Sequence, residues 1–225
     1  MARGAILLLA LAFPAPAEPA PASSPVEEAA RAGASVRRQA CALARWAVEQ
    51  KAAGRPLSPL PVRPQGLLAK PAPCFVTISV DGRRRACTGT FVPQAPALAQ
   101  EIVRCAVRAW TLDPRSPRVK REELRRAEFS VTIPGPRRTV SDPSAYPPAD
   151  YGLVVSSGGR SGVLLPGEAK TSRWQAREAR RQAAIAEGAP VTFQVFRAVT
   201  FRERERKRGE ADASHPAPAC RLLSR

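Results

Sequence analysis

Histidine is nearly absent from the chain. Its one copy, His215, sits among Ala, Ser and Pro near the C-terminus. A Ser-His-Asp triad or a Cys-His pair needs an imidazole to carry a proton, and many metal sites need it as a ligand. Those chemistries have almost nothing to work with here. No C-x-x-C spacing occurs either, so neither a zinc site nor any other metal or cofactor is expected. Lysine is scarce too, at five of the 36 basic residues. Aromatic residues make up 5% of the chain and do not interleave with its basic runs, as base-stacking binders of single strands require. A hydrophobic run long enough to span a bilayer is missing, since the longest covers only Ala5 to Phe13.

What is abundant is arginine, alanine and proline. The net charge of +17 ordinarily suggests nucleic acid or an anionic surface as partner. A GC-rich coding sequence produces the same bias by itself, so charge alone supports nucleic-acid binding that is weak and non-specific at most. With 225 residues, 44% of them hydrophobic, the chain has material for one domain with flanking segments.

At the N-terminus Arg3 precedes the apolar run, and Ala15-Pro16-Ala17 follows it in an A-x-A cleavage pattern. This reads as a signal peptide over 1–17. It implies a secreted or periplasmic protein with no membrane attachment after cleavage, or a cytoplasmic one if the start codon is misassigned. Residues 18–35 read as a Pro/Ala-rich linker or helix start, with Ser24-Pro25-Val26-Glu27 resembling a capping box. A folded unit is expected over 36–203, followed by a charged, disordered tail over 204–225. Five cysteines, an odd number, fit poorly with a fully oxidised disulfide framework. Cys41 and Cys105 fall on apolar helical stripes, and Cys220 lies in the tail.

Within the unit, apolar spacing predicts helices over 36–53, 96–110 and 173–187, the second ended by Asp113-Pro114 and the third capped by Ser172. Asp81-Gly82 predicts a type I′ hairpin between 74–80 and 83–90. A two-residue turn there sets Val80 opposite Arg83, Ile78 opposite Arg85 and Val76 opposite Cys87, which puts Arg85 and Cys87 on one face. Cys74 then lies diagonal to Cys87, poorly placed for a disulfide. Further strands are expected over 127–133, 151–156, 161–166 and 191–201, with Gly158-Gly159 turning a second hairpin. The order is that of an α+β fold: one mainly antiparallel sheet with about three flanking helices.

Two of these segments carry a resemblance. Phe75-Val76-Thr77 and Asp81-Gly82 lead into Arg85-Ala86-Cys87-Thr88-Gly89-Thr90. Later come Leu98-Ala99, Asp113-Pro114-Arg115, Gly152-Leu153-Val154-Val155 and the stretch Gly158-Gly159-Arg160-Ser161-Gly162-Val163-Leu164-Leu165-Pro166. In order and spacing, over about 39–203, they resemble the AMMECR-one domain family. The chain departs from that family's Arg-Gly-Cys-Ile-Gly at Ala86 and Thr88. The resemblance implies a single α+β domain of undefined biochemical activity, with a Memo-like protein and a radical-SAM protein as partners.

The candidate catalytic residues are Arg85 and Cys87, because a guanidinium beside a thiol favours the reactive thiolate. Thr88, Gly89, Thr90, Gly158, Gly159, Arg160 and Ser161 are candidate ligand-binding residues, offering hydroxyls, backbone N–H groups and a charge for a small anion. Arg85, Cys87, Thr90 and the 158–161 loop are expected to converge on one concave surface. The competing reading packs Cys87 against β-strand neighbours and gives the glycines to turns and close contacts. Glu101, Asp113, Glu122, Glu123 and Asp150 read as solvated carboxylates. The function expected is an accessory module that binds an anion or a partner. The alternatives are a cysteine-dependent enzyme using Cys87 with Arg85 and the 158–161 loop, and a non-specific nucleic-acid binder.

Overall fold

The computed structural model describes residues 23–112, 119–204 and 221–222. The expected signal peptide, the Asp113-Pro114 helix stop and Cys220 lie outside the described residues. No described helix is long and apolar enough to cross a membrane.

The architecture is α+β, in four layers. Helices α1 (Pro25–Arg31), α2 (Ala34–Ala52) and α3 (Leu98–Leu112) form the first layer. Helix α1 occupies part of the expected linker, and the Glu27 carboxylate accepts the Ser24 N–H at 3.0 Å at its start. The second layer is a sheet ordered β8-β3-β1-β2-β9. Its strands are β1 (Phe75–Val80), β2 (Arg83–Gly89), β3 (Ala127–Pro134), β8 (Ala198–Arg202) and β9 (Arg221–Leu222). The third is a sheet ordered β4-β7-β5-β6, built from β4 (Arg138–Val140), β5 (Gly152–Ser157), β6 (Arg160–Leu164) and β7 (Thr192–Phe196). Helix α4 (Ser172–Gln182) covers its far face.

Strand periodicity assigns side chains to these layers. Val76, Ile78 and Val80 of β1 face the core shared with α2 and α3, while Phe75 faces the second sheet. In β5, Leu153 and Val155 face α4, and Val154 faces back toward Phe75 and Cys87. Phe75, Phe91 and Phe196 meet edge to face between the sheets, with centroids 5.1 and 4.8 Å apart.

Three expectations need correction. One sheet was expected, and there are two, because the run 191–201 is not one strand. It breaks at Arg197 into β7, which pairs with β4 and β5, and β8, which pairs with β3. The third predicted helix is capped by Thr171, whose hydroxyl accepts the Trp174 N–H at 3.2 Å, and it ends at Gln182 rather than 187. The tail is not wholly without structure: Arg221–Leu222 runs parallel to β2 along its outer edge.

Candidate functional site

The Asp81-Gly82 turn forms as its sequence requires, with both residues at positive φ (52° and 74°). Its register holds for only two pairs, Val80 with Arg83 and Ser79 with Arg84. Beyond them the next pair is Ile78 with Ala86, so Arg85 is the extra residue of a β-bulge. The bulge shifts every later pair by one: Cys87 stands opposite Thr77 rather than Val76.

Arg85 and Cys87 are therefore not the side-by-side pair that an unbroken hairpin would give. The Arg85 guanidinium reaches Glu123 at 2.8 Å, in the 3-10 turn Arg121–Arg126 that precedes β3. Glu123 also accepts the Lys120 N–H at 2.7 Å. That backbone hydrogen bond and then Arg85 hold its carboxyl below the ordinary carboxylate value. Arg84, the preceding residue, forms a largely buried ion pair with Glu168, just after β6, and so ties the two sheets together.

Cys87 is fully buried between the sheets, 3.0 Å from the Thr77 hydroxyl, and it is disulfide-bonded. A bridged sulfur has no thiolate to offer, so the reading of Cys87 as an Arg85-activated nucleophile is corrected. The three free thiols among the described residues, Cys41, Cys74 and Cys105, are also buried. Burial, with a smaller contribution from Glu203, pushes the Cys41 thiol up to about 12. Burial and then the neighbouring Cys105 push Cys74 well above the ordinary thiol value.

The candidate ligand residues are similarly committed to the fold. Thr90 donates to the Val92 carbonyl at 2.6 Å and stands 3.3 Å from the Glu101 carboxylate. Glu101 is 0% exposed, which overturns its reading as a solvated carboxylate. It accepts the Gln94 N–H at 3.0 Å and the Arg104 guanidinium at 2.6 Å, joining the end of β2 to α3. Thr88 is buried on the helix side, with no hydrogen-bond partner for its hydroxyl among the described residues.

Gly89 is required by close approach, since a Cβ there would lie 2.4 Å from the Cys74 carbonyl oxygen and the Phe75 ring. Gly158 and Gly159 have open space around them and serve the turn instead, at φ +52° and +77°. Arg160 leaves that exposed turn to donate to the Ala184 carbonyl at 2.8 Å, just past the end of α4. Ser161 is exposed beside it. The turn and Leu165, at the Cys87 end of the hairpin, are separated by roughly 16 Å of strand. The nine candidates thus occupy separate places rather than one concave surface.

Most of the exposed charged side chains among the described residues are arginines. Arg173, Arg177 and Arg181 of α4 are exposed at i, i+4 and i+8. Arg181 also grips Glu178 through two nitrogens at 2.6 and 2.8 Å. The sequence reading missed this row, although its four-residue spacing was visible. Among the described residues no group of His, Cys, Asp and Glu is arranged to hold a metal ion.

Two packed antiparallel-rich sheets between helical layers, with a bulged Arg-Ala-Cys-Thr-Gly strand and a Gly-Gly-Arg-Ser hairpin, define a small class of α+β domains. The AMMECR1 family model matches residues 41–203, and the chain belongs to that family. A Thermotoga maritima protein is 40% identical over 114 residues, half of this chain and 66% of the relative. A Methanothermobacter thermautotrophicus protein is 34% identical over 142 residues, covering 60% of this chain and 73% of its own length. The match to a Clostridium acetobutylicum protein, at 35% identity, spans 41% of this chain and only 19% of that longer protein. The crystal structure of an uncharacterized Pyrococcus horikoshii protein shares the fold, with a TM-score of 0.57 and 23% identity over 72% of this chain and 88% of its own.

Proposed function

We propose that this AMMECR1-family chain is a non-catalytic accessory module that docks an acidic surface of a partner protein through α4. The observation that carries this reading is the exposed row Arg173, Arg177 and Arg181 on one helix face. Arg173 and Arg177 present guanidinium forks to carboxylates beside Arg181, which Glu178 holds in place, and a chain of net charge +17 is steered toward an acidic partner from a distance. The residues once considered for catalysis support the same reading, since Cys87 is bridged and Arg85 is held by Glu123. The Memo-like and radical-SAM proteins implied by family resemblance are the first partners to try. Export from the cytoplasm, read from the N-terminal pattern, belongs to the same proposal.

The direct test uses poly-glutamate as a probe and a single-stranded DNA oligomer as competitor, over a salt series. Poly-glutamate should bind at low salt, and the double variant Arg173→Glu/Arg177→Glu should weaken it about tenfold or more. Unchanged binding by the variant overturns the α4 assignment. DNA binding that outlasts poly-glutamate binding at high salt overturns the protein-partner reading in favour of nucleic acid.

A further inference from the structure

We propose that the docking surface on α4 continues past its first turn onto a stack of Arg138, Tyr146, Tyr151 and Arg197, which grips an extended acidic segment of the partner. The inference rests on the reading of the chain as a dock for acidic partners. What carries it is a run of ring contacts. The Arg138 guanidinium lies 5.0 Å from the Tyr146 centroid, Tyr146 meets Tyr151 edge to face at 5.2 Å, and Arg197 lies 5.1 Å from the Tyr151 centroid. Strand register brings the four together. Arg138 stands opposite Val195 of β7, and Gly152, just after Tyr151, stands opposite Phe196, just before Arg197. Helix α4 abuts the stack: the Ser172 hydroxyl donates to the Tyr146 carbonyl at 3.5 Å, and Gln175 donates to that of Tyr151 at 3.0 Å. Arg173 lies between them in sequence and is exposed.

Both arginines of the stack are exposed, and among the described residues neither has a carboxylate partner. Each rests its flat side on a ring, which steadies the side chain and leaves the in-plane N–H groups free for an oxyanion. Less freedom is then lost when a ligand binds. An extended chain covers the three steps of the stack in about four residues, with every second side chain on one face. Acids two or four residues apart therefore meet both guanidiniums. Arg138 and Tyr146 also line a cleft of about 370 Å³. Asp142 lies in that cleft, its oxygens accepting the Ser144 N–H at 2.8 Å and hydroxyl at 2.6 Å, and the exposed Asp150 precedes Tyr151. These two acids temper the local field, so recognition falls to the two guanidiniums and not to diffuse charge. A guanidinium covers a face of each ring, the surface a nucleic-acid base would need for stacking, which favours a peptide acid.

The test is fluorescence anisotropy of dansyl-labelled hexaglutamate with the full chain at low salt. Arg138→Lys/Arg197→Lys keeps every charge but removes both forks, and it should weaken binding about fivefold or more. Arg121→Lys/Arg125→Lys, the same exchange at two exposed arginines of the 3-10 turn before β3, should stay within about twofold of the unaltered protein. Unchanged binding by the first variant overturns the proposal, and so does an equal loss in both. Run beside them, Arg173→Glu/Arg177→Glu separates the stack from the α4 row. Loss in that variant alone leaves the row standing and removes the stack. Loss in Arg138→Lys/Arg197→Lys alone keeps the stack and removes the row. Hexaglutamate that fails to bind the unaltered protein overturns both. Single-stranded DNA that loses more affinity than hexaglutamate does in Arg138→Lys/Arg197→Lys would assign the stack to nucleic acid and overturn the proposal too.

Discussion

Gly162 lies directly against the carbonyl of Ala179: a Cβ on the glycine would stand 2.0 Å from that oxygen. The contact lets β6 and α4 approach as closely as they do, with backbone against backbone. Gly162→Ala should therefore cost about 1–3 kcal/mol or more, because neither element can give way without moving the other. Gly159→Ala, in open space at φ +77°, should cost only about 1 kcal/mol from its left-handed conformation. Urea denaturation of the two variants would check the ranking, and equal losses would contradict it.

Thr88→Val should stabilise the protein. The Thr88 hydroxyl is buried without a hydrogen-bond partner among the described residues, and a buried unsatisfied polar group costs about 1–3 kcal/mol. Valine keeps the shape and removes the oxygen. The expected outcome is a midpoint shift toward higher urea with an unchanged slope. A destabilised variant would mean that the hydroxyl does have a partner.

Stability should fall in acid in a way that depends partly on Glu123. Its carboxyl is held below the ordinary 4.5 by the Lys120 N–H and by Arg85. A group with a lowered folded pKa stabilises the native state above its unfolded value and loses that contribution as pH falls through the folded one. Glu123→Gln should accordingly lower Tm at pH 7. The gap from the unaltered protein should narrow once pH drops below about 4.5 and close in stronger acid. A gap that stays constant through this range would exclude the carboxylate as its source.

Much of the fold was legible, and its misreadings share a cause. The Asp81-Gly82 and Gly158-Gly159 turns and the apolar helical stripes are local features, and they formed where the residues put them. The bulge at Arg85 was not legible, because nothing in Arg-Arg-Arg says which guanidinium will meet Glu123 nearly forty residues later. The break at Arg197 was hidden for the same reason: 191–201 alternates continuously, and only packing decides that its halves join different sheets. Glu101 was a missed local clue. It sits three residues after Leu98 and four before Cys105, within the buried stripe, so its spacing already argued for burial. For the candidate site, pattern could find the distinctive residues but not their tasks. Gly89 and Gly162 are kept by contact distances, which appear only in three dimensions.

The division of 192–202 between two sheets also sets a timetable for synthesis. Among the described residues strand β4 has no hydrogen-bonded neighbour except β7, and β3 lacks its outer neighbour until β8 arrives. A nascent chain halted at residue 190 would hold two incomplete sheets, with β4 unpaired and the outer edge of β3 open. Neither half can finish first and serve as a template for the other, because the strands that complete both emerge within a few residues of each other. Contacts this distant in sequence are slow to close, so the native state becomes attainable only after residues 192–202 have emerged.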